Sequence, residues 1–324
     1  MDEARLDALA HDLRAALPTA TVTRRAALGP LTTFRLGGPA DVLVTVSDER
    51  EAVAVLSMAR TAGVPIVPIG GGSNVLVSDA GVRGVVLRFH GGDIHEDVDG
   101  TVRVGAGVTI NGLVRWLIGH GLAGLEAWAG TPGTVGGAIF GNAHFQGRLI
   151  SESVVAVRLL EPDGAVADVA VDEMAFAYDY SRLHATGEIV VSARFAVSRG
   201  DPDTLRATAR ASLAFRKRTQ PLHLASAGCI FQNPSRDTAL PSGIPRSAGA
   251  LVDRAGLKGA REGGVTVSPV HANFMTAERS ASARDVRALI DRCRDAVATR
   301  FGVQLHEEIV YVGDWNADHS RRHS

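Results

Sequence analysis

Cysteine is nearly absent from this 324-residue chain, which has only Cys229 and Cys293. Two isolated thiols exclude a disulfide scaffold and a four-cysteine zinc site, and they fit a reducing cytoplasm. Charge of one sign is also missing: 34 Lys and Arg face 35 Asp and Glu, a formal net charge of −1. That leaves no positive field for nucleic acid or an anionic membrane surface. The N-terminal MDEARLDALAHDLRAAL begins with acids and lacks the basic start and apolar block of a signal peptide. Only 127–146 is long enough and free enough of charge to suggest a membrane span, but its glycines and Pro132 read as packed loop. The expectation is a soluble, cytoplasmic protein with no nucleic-acid or membrane partner.

What the chain does have is glycine: 36 of 324 residues, or about 11% against roughly 7% in average proteins. A hydrophobic fraction of 45% with 21% charged residues is ordinary globular composition, and the length suggests two or three domains. Leu6, Leu9, Leu13 and Leu17 recur at helical spacing before Pro18. A strand over 41–46, a helix opened by Ser47-Asp48 with Glu51, and a buried strand over 64–69 form a βαβ unit. After a strand at 85–89, the hydrophilic stretch 91–100 reads as a boundary. The pattern then repeats as a strand at 101–105 and a helix faced by Ile110, Leu113, Val114 and Leu117. Runs at 154–160, 166–171 and 188–197 suggest a meander, followed by a helix over about 202–215. Beyond Arg218 the texture is loop, except for one helix capped by Ser282 and Asp285, with Val286, Leu289, Ile290, Cys293, Val297 and Phe301 inward. A final strand runs over 308–312.

The glycines cluster at two places. Gly70-Gly71-Gly72-Ser73-Asn74 follows a strand, and Gly130-Thr131-Pro132-Gly133-Thr134-Val135-Gly136-Gly137 follows the second βα block. Bare Cα atoms let consecutive N–H groups approach pyrophosphate oxygens, and Ser73 and Asn74 add side-chain donors. The alternative for either loop alone is a tight turn or a backbone squeezed between packed elements. Neither loop is a dinucleotide GxGxxG fingerprint or a P-loop.

In order along the chain stand Leu31-Thr32-Thr33-Phe34-Arg35-Leu36-Gly37-Gly38, the loop Gly70–Val77, the loop Ala129–Ala138 and Phe176-Ala177-Tyr178. Arg216–Pro221, Ser226–Pro234, Ala248–Asp253, Ala255–Gly259, His271–Phe274 and Leu305–Ile309 follow. This series, which covers nearly the whole chain, resembles the UDP-N-acetylenolpyruvoylglucosamine reductases, the MurB family, in the branch lacking a tyrosine-bearing loop insertion.

The resemblance implies an α+β fold: a two-part FAD-binding domain of the vanillyl-alcohol-oxidase/PCMH type and a separate α+β substrate-binding domain. The parts fall at 1–90 and 91–215 for FAD, 216–303 for substrate, and 304–315 for a strand with a catalytic glutamate; 316–324 is a disordered tail. It implies non-covalent FAD, NADPH as co-substrate, no metal, a UDP-sugar substrate and a monomer. The reaction would reduce UDP-N-acetylglucosamine enolpyruvate to UDP-N-acetylmuramate for peptidoglycan, and so serve cell-wall biogenesis, cell shape and division.

By the same resemblance Gly70, Gly71, Gly72, Ser73, Asn74, Thr131, Pro132, Gly133, Gly137, Asn142 and Arg216 hold the cofactor. Tyr178, Ser181, Gln232, Asn233, His271 and Asn273 meet the substrate. Cys229 aligns with the family's proton donor, and a thiol with a pKa of about 8.5 is mostly protonated at neutral pH. The residues alone do not separate Glu308 from Glu307; the alignment selects Glu308 as catalytic. Cys293, on a helix face, reads as an inert core thiol.

Three departures stand out. Asp179 follows Tyr178 where the family carries arginine, and an aspartate cannot stabilise an anion as arginine does. Arg182 or Arg216 is left to supply that cation, and Arg182 needs a bend to reach it from a strand. Gln232 replaces a lysine, and His144 stands where glycine is usual. Two other readings share the scaffold: another FAD oxidoreductase, such as an alcohol or lactone oxidase, and a non-catalytic nucleotide-binding paralogue, which Asp179 favours.

Overall fold

A computed structural model describes residues 2–316. The chain divides into two compact units that interleave in sequence. One comprises the chain up to Ala26 with Asp41–Gly71 and Gly84–Phe215; the other comprises Ala27–Ala40, Gly72–Arg83 and the chain from Arg216.

The first unit has two cores. In one, the helix Glu3–Ala16 buries Leu6, Leu9 and Leu13, and Asp2 caps its start by accepting from the Ala4 N–H. The helix Glu49–Thr61 is capped by Asp48, which accepts from the Glu51 N–H at 2.9 Å, while the Glu51 carboxylate accepts from Ser47 N–H at 2.7 Å. The sheet beneath runs in the order Thr21–Ala27, Pro39–Val46, Val82–Phe89, Ile66–Pro68. The two strands of the expected βαβ unit are therefore not neighbours, because Val82–Phe89 lies between them and pairs parallel with Ile66–Pro68.

The second core lies on a five-stranded sheet ordered Val166–Ala170, Val154–Leu160, Ile189–Ala196, Thr101–Gly105, Ile94–Glu96. The expected meander is corrected here. Ile189–Ala196 pairs with the far side of Val154–Leu160 rather than with Val166–Ala170. Burial explains this order: Ile189–Ala196 is buried along most of its length and takes an interior place, whereas Val166–Ala170, buried only at Val169, lies at an edge. The stretch 91–100, expected as a boundary, holds an edge hairpin, with Ile94 opposite Val104. The helix Ile110–Gly119 covers this sheet with Leu113, Val114 and Leu117.

The second unit is built on the helix Ala283–Phe301, whose Val286, Leu289, Ile290, Cys293 and Val297 are buried as expected. Its capping box is formed by Ser282 and Asp285, and Asp79 adds a carboxylate to the N–H groups of Ala283 and Arg284. Burial pushes the Cys293 thiol up to about 12, which makes it inert. The segment expected as loop holds a helix, Ala248–Arg254, and a three-stranded sheet of Arg261–Glu262, Val265–Val267 and Met275–Ala277. The last strand, Val310–Val312, pairs parallel with Val75–Val77. No helix among the described residues is long and apolar enough to cross a membrane. The expected tail lies outside the described residues apart from Asn316.

Candidate functional site

In the first unit the two glycine loops touch through their backbones. A Cβ on Gly71 would lie 2.6 Å from the Cα of Gly133, and one on Gly70 would lie 2.8 Å from Thr134 Oγ1. Only hydrogen fits, so the two clusters form one backbone cradle rather than two separate turns. Asn111 braces it: its Oδ1 accepts from Gly130 N–H at 2.7 Å and its amide donates to the Thr131 carbonyl at 3.2 Å. Sequence reasoning missed Asn111, because nothing in a helical stretch marks one asparagine as a loop brace.

The helix Val135–Phe140 leaves this cradle, and a loop over 175–181 is fastened to its end. Ser181 Oγ donates to the Phe140 carbonyl at 2.6 Å. The Asn142 amide donates to the Ala177 carbonyl at 2.8 Å, and its Oδ1 accepts from Ser151 N–H at 3.2 Å. Both side chains are fully buried. Asn142 and Ser181, expected at cofactor and substrate, thus engage main chain. Tyr178 is 41% exposed, and its ring stacks on His144 with centroids 4.8 Å apart. His144 Nε2 in turn lies 3.1 Å from Asp179 Oδ1.

Arg182 does not reach toward an anion site from a strand. It starts the short helix Leu183–Thr186, and its guanidinium grips Glu188 through Nε at 2.9 Å and Nη2 at 2.5 Å. Glu188 is buried, so the pair is held tightly. The bidentate bond to Arg182 holds the Glu188 carboxyl below the usual range and raises the arginine. The reason for the correction is conformational. Ala175 and Asp179 are left-handed and Ala177 bridges Tyr180, so this stretch is a turn.

In the second unit, Gly72 takes φ +64°, and a Cβ there would lie 2.2 Å from the Leu31 carbonyl oxygen. Thr33 N–H donates to the Gly72 carbonyl at 3.0 Å, so the first motif and the end of the first glycine loop hold each other. Cys229 lies on a stretch threaded between two others. On one side Cys229 bridges Phe274, and Ile230 N–H donates to the Asn273 carbonyl at 2.8 Å. Asn273 is buried, and its amide clamps Phe231 by donating to its carbonyl at 2.7 Å and accepting from its N–H at 2.9 Å. The expected substrate residue Asn273 therefore braces the Cys229 segment. On the other side Glu308 N–H donates to the Ile230 carbonyl at 2.8 Å, and Gln232 N–H donates to the His306 carbonyl at 2.9 Å. This brings Cys229 and Glu308 onto adjoining stretches of one unit.

Glu307 is engaged by Arg294, which also meets Asp291. Asn233 Oδ1 accepts from Ala248 N–H at 3.0 Å at the start of the helix Ala248–Arg254. Burial lowers the His271 pKa, with the Lys258 charge acting in the same direction. Arg216, on the helix Pro202–Thr219, is buried, and burial pushes its guanidinium down to about 10. The attraction of Cys229 opposes that shift.

Glycine loops packed backbone on backbone in one α+β unit, with a thiol and a carboxylate on adjoining stretches of the other, mark the class of FAD-binding oxidoreductases. The FAD binding domain family matches residues 40–170, and the UDP-N-acetylenolpyruvoylglucosamine reductase C-terminal domain matches residues 220–312. The chain is 42% identical to the UDP-N-acetylenolpyruvoylglucosamine reductase of Anaeromyxobacter sp. (strain Fw109-5), over 92% of this chain and 90% of that protein. It is 36% identical to the Halalkalibacterium halodurans enzyme of the same name, over 95% and 100%. The crystal structure of the Thermus caldophilus reductase (MurB) superposes with a TM-score of 0.73 at 32% identity, covering 90% of this chain and 98% of that one. The chain belongs to the UDP-N-acetylenolpyruvoylglucosamine reductase family.

Proposed function

We propose that the protein binds FAD and reduces UDP-N-acetylglucosamine enolpyruvate to UDP-N-acetylmuramate with NADPH, as a step in peptidoglycan precursor synthesis. The observation that carries this reading is the junction in the second unit, where Glu308 N–H meets the Ile230 carbonyl at 2.8 Å next to Cys229. The residues fit the cofactor: Gly70 and Gly71 pack directly on Gly133 and Thr134, where a Cβ would clash, so the N–H groups of two glycine loops lie together. In the same unit Thr131, Pro132 and Gly137 are the further cofactor residues of this reading; in the second unit Ser73 and the buried Arg216 are. FAD, reduced by NADPH, supplies a hydride equivalent to the enolpyruvyl double bond.

The protein's own task is the proton. Addition to an alkene conjugated with a carboxylate leaves electron density on the neighbouring carbon and its carboxylate, which needs stabilisation and then protonation. Cys229 holds a thiol proton for that carbon. Arg216, whose guanidinium is raised by charge on Cys229, faces the negative charge left there when the proton goes. Glu308, with its main chain fixed against Ile230, is the second catalytic group. Gln232, Asn233 and His271 in the second unit, and Tyr178 in the first, are the substrate residues of this reading.

The division into two FAD-binding parts, a substrate domain and a glutamate strand follows from this reading, as do a cytoplasmic monomer and the lack of a nucleic-acid or membrane partner. The test is product chemistry. Incubation with NADPH and the enolpyruvate should give UDP-N-acetylmuramate, seen by mass spectrometry, with one NADPH oxidised per product. NADPH oxidation without that product would refute the assignment.

A further inference from the structure

The strand Val82–Phe89 is apolar from Val85 to Phe89 except for one cation, Arg88. Val85 and Leu87 join the core that also holds Leu6, Leu9 and Val55 of the two helices Glu3–Ala16 and Glu49–Thr61. Alternation along the strand turns Arg88 to the opposite face, with Val86. Arg88 Nε is buried there and makes no hydrogen bond, and no carboxylate pairs with the guanidinium, among the described residues. Buried polar groups without a partner are rare, since each forfeits its hydration. A half-buried arginine left in this state fits a residue whose partner arrives with a ligand.

Strand pairing places Arg88 at the first glycine loop. Val82–Phe89 runs parallel to Ile66–Pro68 with Leu87 opposite Pro68, and Ile69 N–H donates to the Leu87 carbonyl at 2.9 Å. Arg88 therefore stands beside Ile69, one residue before Gly70. By the spacing of strands its Cα is roughly 6 Å from the Gly70 main chain, within the span of an arginine side chain. Both strands end here, and the carboxyl ends of parallel strands are where open α/β sheets bind ligands. The loop also needs a charge. The cofactor residues read for the first unit are glycines, Thr131, Pro132 and Asn142, none of them charged, while Arg216 belongs to the second unit. Main-chain N–H groups alone meet a diphosphate only with partial charges.

We propose that Arg88 is a further cofactor-binding residue, whose guanidinium pairs with the diphosphate of FAD at the Gly70-Gly71 loop. This rests on the reading of that loop as part of an FAD site. Arginine's planar fork matches phosphate oxygens two at a time, and its weakly hydrated charge tolerates a half-buried place. Arg88 acts on the phosphates and not on the reacting atoms, so it sets how firmly the flavin is retained.

The test is titration of flavin-free protein with FAD and with riboflavin, followed by the quenching of flavin fluorescence. A wild type that binds no FAD removes the flavin reading itself; a wild type that binds it leaves the variants to decide the part given to Arg88. Arg88→Gln should weaken FAD about tenfold or more, the loss of a charge-assisted hydrogen bond. Riboflavin, which has the same ring and no phosphate, should bind Arg88→Gln and wild type alike. Arg88→Lys, which keeps the charge without the fork, should fall between the two for FAD. Flavin-free Arg88→Gln should melt no lower than flavin-free wild type, because the guanidinium has no protein partner to lose, while the rise in melting temperature on adding FAD shrinks. Wild-type affinity of Arg88→Gln for FAD overturns the proposal, as does an equal loss for FAD and riboflavin. A flavin-free variant that melts well below wild type, or does not fold, marks a structural arginine and overturns it too.

Discussion

The side-chain amide of Asn74 donates to the main-chain carbonyl of Glu308 at 3.1 Å, across 234 positions of sequence. The Asn74 carbonyl in turn accepts from Val310 N–H at 3.0 Å, at the edge of the parallel pair of Val75–Val77 and Val310–Val312. The end of the first glycine loop is therefore what positions the glutamate expected to be catalytic. Asn74, read from the sequence as a cofactor donor, engages protein main chain through its side-chain amide.

Asn74→Ala removes one hydrogen bond and should lower stability by about 1 kcal/mol. It should slow recolouring of reduced protein by substrate more than it reduces bound FAD. Thermal melts, flavin content and stopped-flow rates check the three effects together.

Gly71→Ala should reduce FAD binding and stability, because its Cβ would sit 2.6 Å from the Gly133 Cα, where only backbone could yield. Gly119→Ala is the matched control. Its Cβ meets nothing within 4 Å, and alanine in a helix gains up to about 1 kcal/mol over glycine. Flavin retained after gel filtration and the melting temperature distinguish the two.

Arg182→Ala should leave the rate of recolouring by substrate unchanged while costing about 3 kcal/mol of stability, because it strands the buried Glu188 carboxylate. The pH dependence has a definite sign. The folded-state pKa of Glu188 is depressed by Arg182, so its contribution is present above the unfolded value of 4.5 and is lost as pH falls through the folded one. Denaturant melts of wild type should weaken across that acid range, and Arg182→Ala should weaken less steeply.

Much of this was legible from local pattern. The leucine spacing of the first helix, Asp48 with Glu51, and Ser282 with Asp285 are short-range signals, and each formed as expected. The glycine loops were legible as special, yet their reason was not, since Gly71 is small because Gly133 packs on it from 62 positions away. Strands of two or three residues, such as Arg261–Glu262 and Val265–Val267, are too short to show a period, and the pairing of Val310–Val312 with Val75–Val77 has no local signature. Motif matching also does not separate residues that touch a ligand from those that hold the site. Asn142, Ser181 and Asn273 all proved to bond main chain. The His144–Asp179 contact was visible only as two unexplained departures, and the fold made them one feature.

Cys229→Ala isolates the proposed acid. Flavin bleaching by NADPH should proceed at the wild-type rate, while formation of UDP-N-acetylmuramate should fall at least a hundredfold, the range of a general acid's contribution. Cys229→Ser, which keeps a proton on a small side chain, should retain part of it. Product yields from single turnovers compare the three proteins.

The most direct measurement is the visible spectrum of the purified protein through one cycle. The account predicts a yellow protein whose flavin absorbance bleaches with NADPH under anaerobic conditions and returns when UDP-N-acetylglucosamine enolpyruvate is added. A protein that cannot be loaded with flavin, or one that bleaches and does not recover with that substrate, would contradict it.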